Sequence, residues 1–322
     1  MSLSRRSLVN KNIRAGGQAI IEGVMMLVNG GWAIAVRKQS GDIEIRSKPY
    51  TRWAQRNKFM SLPFIRGVVS FLEMLNLGMD SLNLSADIYY DEENKKKGFK
   101  DLLMTIVSFI AAIGIAVGLF LFIPIKLGNW LNLQSNQIYF NLFLGGIRMV
   151  FFILYILLIS LWKDIKRIFM YHGAEHKAVY AFENGVDLNV ENVRKYSTKH
   201  PRCGTSFIFI VLIIAIIFYS VIDTIVFSQL NITNNALNRL INHLIFLPVI
   251  AAIAFEILTL AGKYFKNKIV KILLLPGILF QFITTKEPTS EMLEVSIASL
   301  KAALKAAGME ELSEDRETER ED

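Results

Sequence analysis

Between Leu103 and Ile125 the chain reads LMTIVSFIAAIGIAVGLFLFIPI, a run without a single charge. A helix rises about 1.5 Å per residue, so roughly 20 apolar residues cross the hydrocarbon core of a bilayer. The run therefore predicts a membrane-spanning helix. Three further stretches qualify: Tyr139 to Trp162, interrupted by Arg148; Ser206 to Phe227, with Asp223 near its end; and Leu240 to Ala261, with His243 near its start and Glu256 near its end. Apolar residues make up 52% of the 322, and mean hydropathy is +0.37. The decisive feature is that they gather into long runs instead of spreading with helical or strand period.

Charge orients these spans. The loop joining the first two holds only Lys126, and the loop joining the last two holds none before Arg239. The central loop, by contrast, carries Lys163, Lys166, Arg167, Lys177, Arg194, Lys195, Lys199 and Arg202. Lys95, Lys96, Lys97 and Lys100 precede the first span, and Lys263, Lys266, Lys268 and Lys271 follow the last. The positive-inside rule then puts both termini and the central loop in the cytoplasm of a multi-pass cell-membrane protein. The net charge is +8; the tail from Glu310 to Asp322 contributes −6, leaving +14 for the rest. Such a balance suits juxtamembrane contact with anionic lipid, and no nucleic-acid-reading motif is present. The N-terminal MSLSRRSLVNKNIR has a positive start but no apolar core, so no cleavable signal peptide is expected. With one cysteine, Cys203, no intrachain disulfide can form.

The flanking segments also have a pattern. Trp32 to Lys38 and Asp42 to Lys48 alternate apolar and polar around the turn Gln39-Ser40-Gly41, which predicts a β-hairpin, and Gln18 to Leu27 predicts a third strand. From Pro63 to Tyr90 the chain looks helical, with Arg66, Glu73, Asp80 and Asp87 recurring every seven residues as a narrow charged stripe. An interfacial helix lying on the membrane is the favoured interpretation, and a helix tucked into the bundle the alternative. Lys163 to Asn184 predicts a helix closed by Asn184-Gly185. Ile272 to Phe282 is apolar but too short to span, and Pro276-Gly277 should break it into a re-entrant or surface segment. A last helix, from about Ser290 to Ala307, presents Leu293, Ile297, Leu300 and Leu304 on one face. The expected fold is thus a mainly α membrane protein, with about four transmembrane helices, a small N-terminal β unit and cytoplasmic helices. The expected divisions are a β-containing segment (1–60), an amphipathic helix with a basic linker (61–102), spans one and two (103–162), a central loop with a histidine-bearing helix (163–205), spans three and four (206–262), a C-terminal segment (263–308) and a disordered acidic tail (309–322).

Three of the four histidines fall in the central loop. His172 and His176 are four apart in Tyr171-His172-Gly173-Ala174-Glu175-His176-Lys177, which on a helix puts both imidazoles on one face, one turn apart. Two ligands to one metal ion need that geometry. His-x-x-Glu-His is the inverted form of the zinc-protease signature, in which the metal acidifies a water and the carboxylate, here Glu175, takes its proton. His200 and Cys203 offer two more ligands, and a mixed nitrogen and sulfur set suits zinc among the divalent transition metals. Four protein ligands would make a structural site; three would leave a place for water. The bland alternative is a pair of surface histidines on a cationic helix, and for Cys203 an inert buried thiol. Glu183, seven residues past His176, lies roughly 10 Å along the axis and is expected to be solvated. Glu22, between glycines and an apolar run, is a further candidate ligand. Arg148 and Glu256, both at membrane depth, could pair across the bundle.

These motifs resemble a known group. GGQAIIEGVMM from Gly16 to Met26, Arg66-Gly67-Val68, Gly78-Met79, YHGAEHK from Tyr171, HPRCGTSF from His200 and FQFITTKEP from Phe280 are similar to the YqhQ-like family of bacterial membrane proteins. The resemblance implies a metal-dependent enzyme of unidentified substrate. It also implies a role for Gln281 and Glu287, which lie in the last motif. The expectation is a metal-dependent membrane enzyme, a hydrolase acting at the cytoplasmic face, with the bilayer as its setting and a membrane protein among its candidate substrates or partners, as a monomer or an oligomer. The alternative is a non-enzymatic scaffold or regulator of another membrane complex, with a structural metal or none, docking through the β unit and the last helix.

Overall fold

A computed structural model of the chain describes residues 13, 15–91, 98–133, 136–201, 203–229, 233, 235–263 and 267–309. The expectations for the acidic tail from 310 onward, and for Lys95, Lys96, Lys97, Arg202 and Lys266, lie outside the described residues. The protein is mainly helical, with one small sheet at its N-terminal end.

Four strands, β1 (Gly16–Ile20), β2 (Gly23–Val28), β3 (Gly30–Arg37) and β4 (Ile43–Tyr50), form an antiparallel meander in sequence order. The expected hairpin is β3–β4. The stretch read as a single third strand is instead two strands, folded at Ile21-Glu22, so that Ile20 pairs with Gly23. That two-residue turn carries no Gly or Asn; Glu22 itself adopts φ 47°. A second turn, Asn29-Gly30, joins β2 to β3, and Asn-Gly is a strong hairpin signal. Alternation fails in β2, where all six residues of GVMMLV are buried, because both faces of the sheet are covered. Val24, Met26, Val28, Ala33 and Ala35 face the helices that carry the histidines and the C-terminus. Met25, Leu27, Trp32, Ile34 and Val36 face the opposite way, toward Leu77 and Ile88.

Helix α1 (Trp53–Arg56) is one turn, and α2 (Ile65–Tyr90) follows. The charged stripe of α2 is used for anchoring. Arg66 donates to both carboxylate oxygens of Glu256, at 2.8 and 2.6 Å. Glu73, 2% exposed, accepts from Tyr50 Oη and the Trp53 amide. The helix therefore packs between the sheet and the last span, while Leu72, Leu75 and Met79 stay exposed. Because Arg66 takes Glu256, the expected pairing of Glu256 with Arg148 does not occur.

Four helices are long and apolar enough to cross a membrane: Leu103–Trp130, Ile138–Ile159, Ile208–Phe227 and Leu237–Ile257. The first is built from α3 (Phe99–Val117), a π turn at Gly118–Phe122 and α4 (Ile123–Trp130). The others lie in α5 (Gln137–Ile159), α8 (Gly204–Gln229) and α9 (Ala236–Lys263). Between the second and third spans come α6 (Lys163–Glu183) and the short α7 (Val190–Arg194). The segment expected to break at Pro276-Gly277 is one continuous helix, α10 (Lys268–Thr284), with Pro276 inside it. Leu274 packs with Ile210 and Ala254, and Phe280 against Phe152 and Phe209, so tertiary contact holds α10 together despite the hydrogen bond the proline removes. Finally α11 (Ser290–Ala306) starts on the Thr289 side chain, ends before Gly308 at φ 74°, and buries Leu293, Ile297, Leu300 and Leu304 against α6 and the sheet. The two elements expected to serve as docking surfaces thus cover one another.

Candidate metal centre

Helix α6 leaves span two directly, and Cys203 precedes the first residue of α8, so the histidines and the cysteine meet where two spans begin and end. Helical spacing brings the His172 and His176 rings to 4.5 Å between centroids. Each ring is then fixed from behind. His172 Nδ1 lies 2.9 Å from the Thr284 carbonyl oxygen, and His176 Nδ1 lies 2.5 Å from that of Thr198. A carbonyl can only accept, so each Nδ1 must carry the proton, and each Nε2 must present its lone pair. Main-chain carbonyls behind imidazoles are the usual means of orienting metal ligands.

Both lone pairs turn toward Cys203. His172 Nε2 is 3.2 Å from Cys203 Sγ, and the ligand atoms of His172, His176 and Cys203 all lie within 4.8 Å of one another. His176 Nε2 is buried, with Glu175 Oε2 at 3.4 Å. Two imidazoles and a thiol converging around a buried acceptor nitrogen could hold a divalent metal ion, and the donor set is one that zinc accepts.

His200 is held beside this group and outside it. Its ring centroid is 5.7 Å from that of His176, and its Nε2 is 3.5 Å from Glu183 Oε2. Glu183 is therefore not the solvated carboxylate expected; its side chain is 18% exposed and faces His200. Gln281, fully buried, holds the main chain of His200 from both sides. Its Oε1 accepts from the His200 amide and its Nε2 donates to the His200 carbonyl, both at 2.8 Å. Gln281 thereby fixes the loop carrying Thr198, His200 and Cys203.

Glu175 stands 3.4 Å from His176 Nε2 and accepts from the Gly17 amide. A Cβ at Gly17 would run into the Met25 carbonyl oxygen and also crowd the Glu175 side chain, which accounts for a glycine at that point of β1. The same logic holds at Gly173, where a Cβ would run into the Lys286 carbonyl oxygen. This close approach lets residues 284–286 lie along α6, with the Lys286 amide donating to the Phe169 carbonyl at 2.9 Å. The other two candidates stand apart. Glu22 is ion-paired with Arg167 and 3.3 Å from Tyr171 Oη, so it ties the β1–β2 turn to α6. Glu287 pairs with Lys177 Nζ at 2.5 Å, and that buried lysine also donates to the Arg194 carbonyl.

Burial sets the protonation of the site. It pushes His172 and His176 below the usual imidazole range and His200 down to about 4, so all three are neutral near pH 7. Burial raises the Glu175 carboxyl above its usual range, against the opposing pull of His172 and His200. The result is two neutral imidazoles beside a carboxyl with heightened affinity for a proton.

A family model described as a protein of unknown function (DUF1385) matches residues 62–306. The chain belongs to this family. The uncharacterized protein YqhQ of Bacillus subtilis (strain 168) is 30% identical over 310 residues, covering 92% of this chain and 94% of that protein. No solved structure matches. Outside the recognised motifs, Thr198 escaped sequence reasoning, and Glu183 was expected to be solvated. Thr198 acts through its main chain, which leaves no side-chain signature. Glu183 was reachable only if the chain after α6 turned back upon it, as it does through α7.

Proposed function

We propose that the protein is a metal-dependent hydrolase at the membrane surface, with His172, His176 and Cys203 as ligands and Glu175 as the proton-accepting group. What carries the proposal is the pair of carbonyl contacts at Thr284 and Thr198, which commit both Nε2 lone pairs to one point beside Cys203 Sγ. Three ligands leave one position of a tetrahedral ion open. Bound there, a divalent ion, zinc by the donor set, would supply Lewis acidity toward water or a substrate oxygen. Glu175 would be the group to accept a proton from a water held there, and burial raises its affinity for that proton. Gln281 and His200 keep the Cys203 loop in place. The lysines and arginines that crowd this end of the spans support a cytoplasmic site in a cell-membrane protein, with both termini on the same side. A lipid head group, a membrane protein or a soluble molecule reaching that face would each qualify as substrate.

A second reading, a structural metal in a scaffold protein, is favoured by one observation: His176 and Cys203 are only 2% and 6% exposed. The zinc-loaded, full-length protein in lipid nanodiscs separates the two. It would be assayed on ester, peptide and phosphoester substrates beside Glu175→Gln. Turnover in the parent, with metal retained and turnover lost in Glu175→Gln, supports the hydrolase. Absence of turnover with cooperative unfolding on chelation supports the structural ion.

A further inference from the structure

At the end of the bundle opposite the histidine group lies a second polar cluster, inside the membrane-spanning segments. Asp223 comes twenty residues after Cys203, about 30 Å along α8, and is 2% exposed. Its Oδ1 accepts from Asn242 Nδ2 at 2.6 Å. Its Oδ2 accepts from Arg239 Nη1 at 3.0 Å and lies 3.1 Å from His243 Nε2. Arg239 also donates to Asn141 Oδ1 at 2.8 Å, and Tyr219 stacks on His243. The carboxylate and Arg239 form a closed pair.

Arg148 is left over. Its Cα lies ten residues into the span that begins at Ile138, about 15 Å along the axis, and helical side chains lean back toward that N-terminal end. Its Nε donates to the Phe120 carbonyl at 2.8 Å. That oxygen is available because Pro124, four residues on, has no N–H to return to it, and the backbone there takes a π turn. Arg148 Nη2 is buried without a hydrogen-bond partner, and no carboxylate pairs with Arg148 among the described residues. Two turns away on α5, Asn141 is 5% exposed and its Nδ2 is likewise buried without a partner. Arg148 is close enough to Asp223 and Arg239 to feel both charges.

Both unmet groups are donors on α5, and with Arg148 beside the Asp223–Arg239 pair there are two guanidiniums to one carboxylate. Water would satisfy the donors but leave the surplus charge, which is costly at membrane depth. We propose that Arg148 and Asn141, beside the Asp223–Arg239 pair, form an anion site that takes one singly charged oxyanion of the phosphate class. A guanidinium offers parallel N–H donors that match phosphate oxygens. The source is either a phospholipid head group or free inorganic phosphate.

Full-length protein in neutral detergent tests this. Native mass spectrometry reads retained phospholipid, and thermal unfolding reads the response to added phosphatidylglycerol and, separately, to inorganic phosphate, with sodium chloride at equal ionic strength as the control. The parent should retain one phospholipid or gain stability from one probe in a saturable way. Arg148→Gln should bind about tenfold or more weakly, since a charge-assisted pair is lost. Asn141→Asp keeps the acceptor for Arg239 and supplies the missing negative charge, so it should stay folded and no longer respond; it carries the test if Arg148→Gln fails to fold. A response to the lipid alone assigns the head group, and a response to inorganic phosphate assigns the free ion. The proposal is overturned if the parent responds to neither, if chloride does as well as both, or if Asn141→Asp binds as the parent does.

Discussion

Gly173 lies between the two histidines of α6, and its missing side chain is where the Lys286 carbonyl sits. Gly173→Ala should therefore push residues 284–286 off the helix and take the Thr284 carbonyl away from His172. Overpacking of this kind costs about 1–3 kcal/mol, read by thermal unfolding, and should lower metal content alongside. Gln281→Ala should strand the amide and carbonyl of His200, at about 1–3 kcal/mol for each buried group left unmet. Its signature is weakened metal binding without any change in the ligands themselves. At this scale the sequence was informative where chemistry sits in side chains: four-residue spacing pointed to His172 and His176, and an isolated thiol near a histidine pointed to Cys203. It was silent where the main chain does the work, as at Thr198 and Thr284. It was misleading at Glu22, whose oddity reflects a strained turn held by an arginine 145 residues away.

Among the elements, the four spans were legible because length and apolarity decide them locally. Strands were harder. In β2 both faces are buried, so the two-residue period vanishes and two strands merge into one apolar run. Helix α10 was read as broken because Pro276 removes a hydrogen bond, yet Leu274 and Phe280 are held by spans two to four, which no local pattern reports. Helix α11 is the keystone of the unit beside the membrane: it contacts the sheet, α6 and α7 at once. Leu300 is fully buried there, so Leu300→Ala should cost about 2–5 kcal/mol and loosen α6 along with the sheet. Hydrogen exchange of the α6 and β3 amides would show this; protection unchanged in both would argue that the two layers are independent.

On the scale of the whole molecule, the bundle carries one polar group at each end, and the account puts the histidine end in the cytoplasm. Gln39 in the β3–β4 turn and Asn129 at the far end of span one are both exposed. A membrane-impermeant maleimide should label Asn129→Cys on intact cells and Gln39→Cys only after permeabilisation, against the buried Cys203 as background. The opposite pattern would invert the topology. The central claim, that the three converging side chains hold a metal, is tested most directly by elemental analysis of the detergent-purified protein beside a His172→Ala/His176→Ala variant. The account predicts near-stoichiometric zinc, or another divalent transition metal, in the parent and its loss from a variant that remains folded. No metal in the parent after reconstitution with zinc, manganese and iron would contradict it.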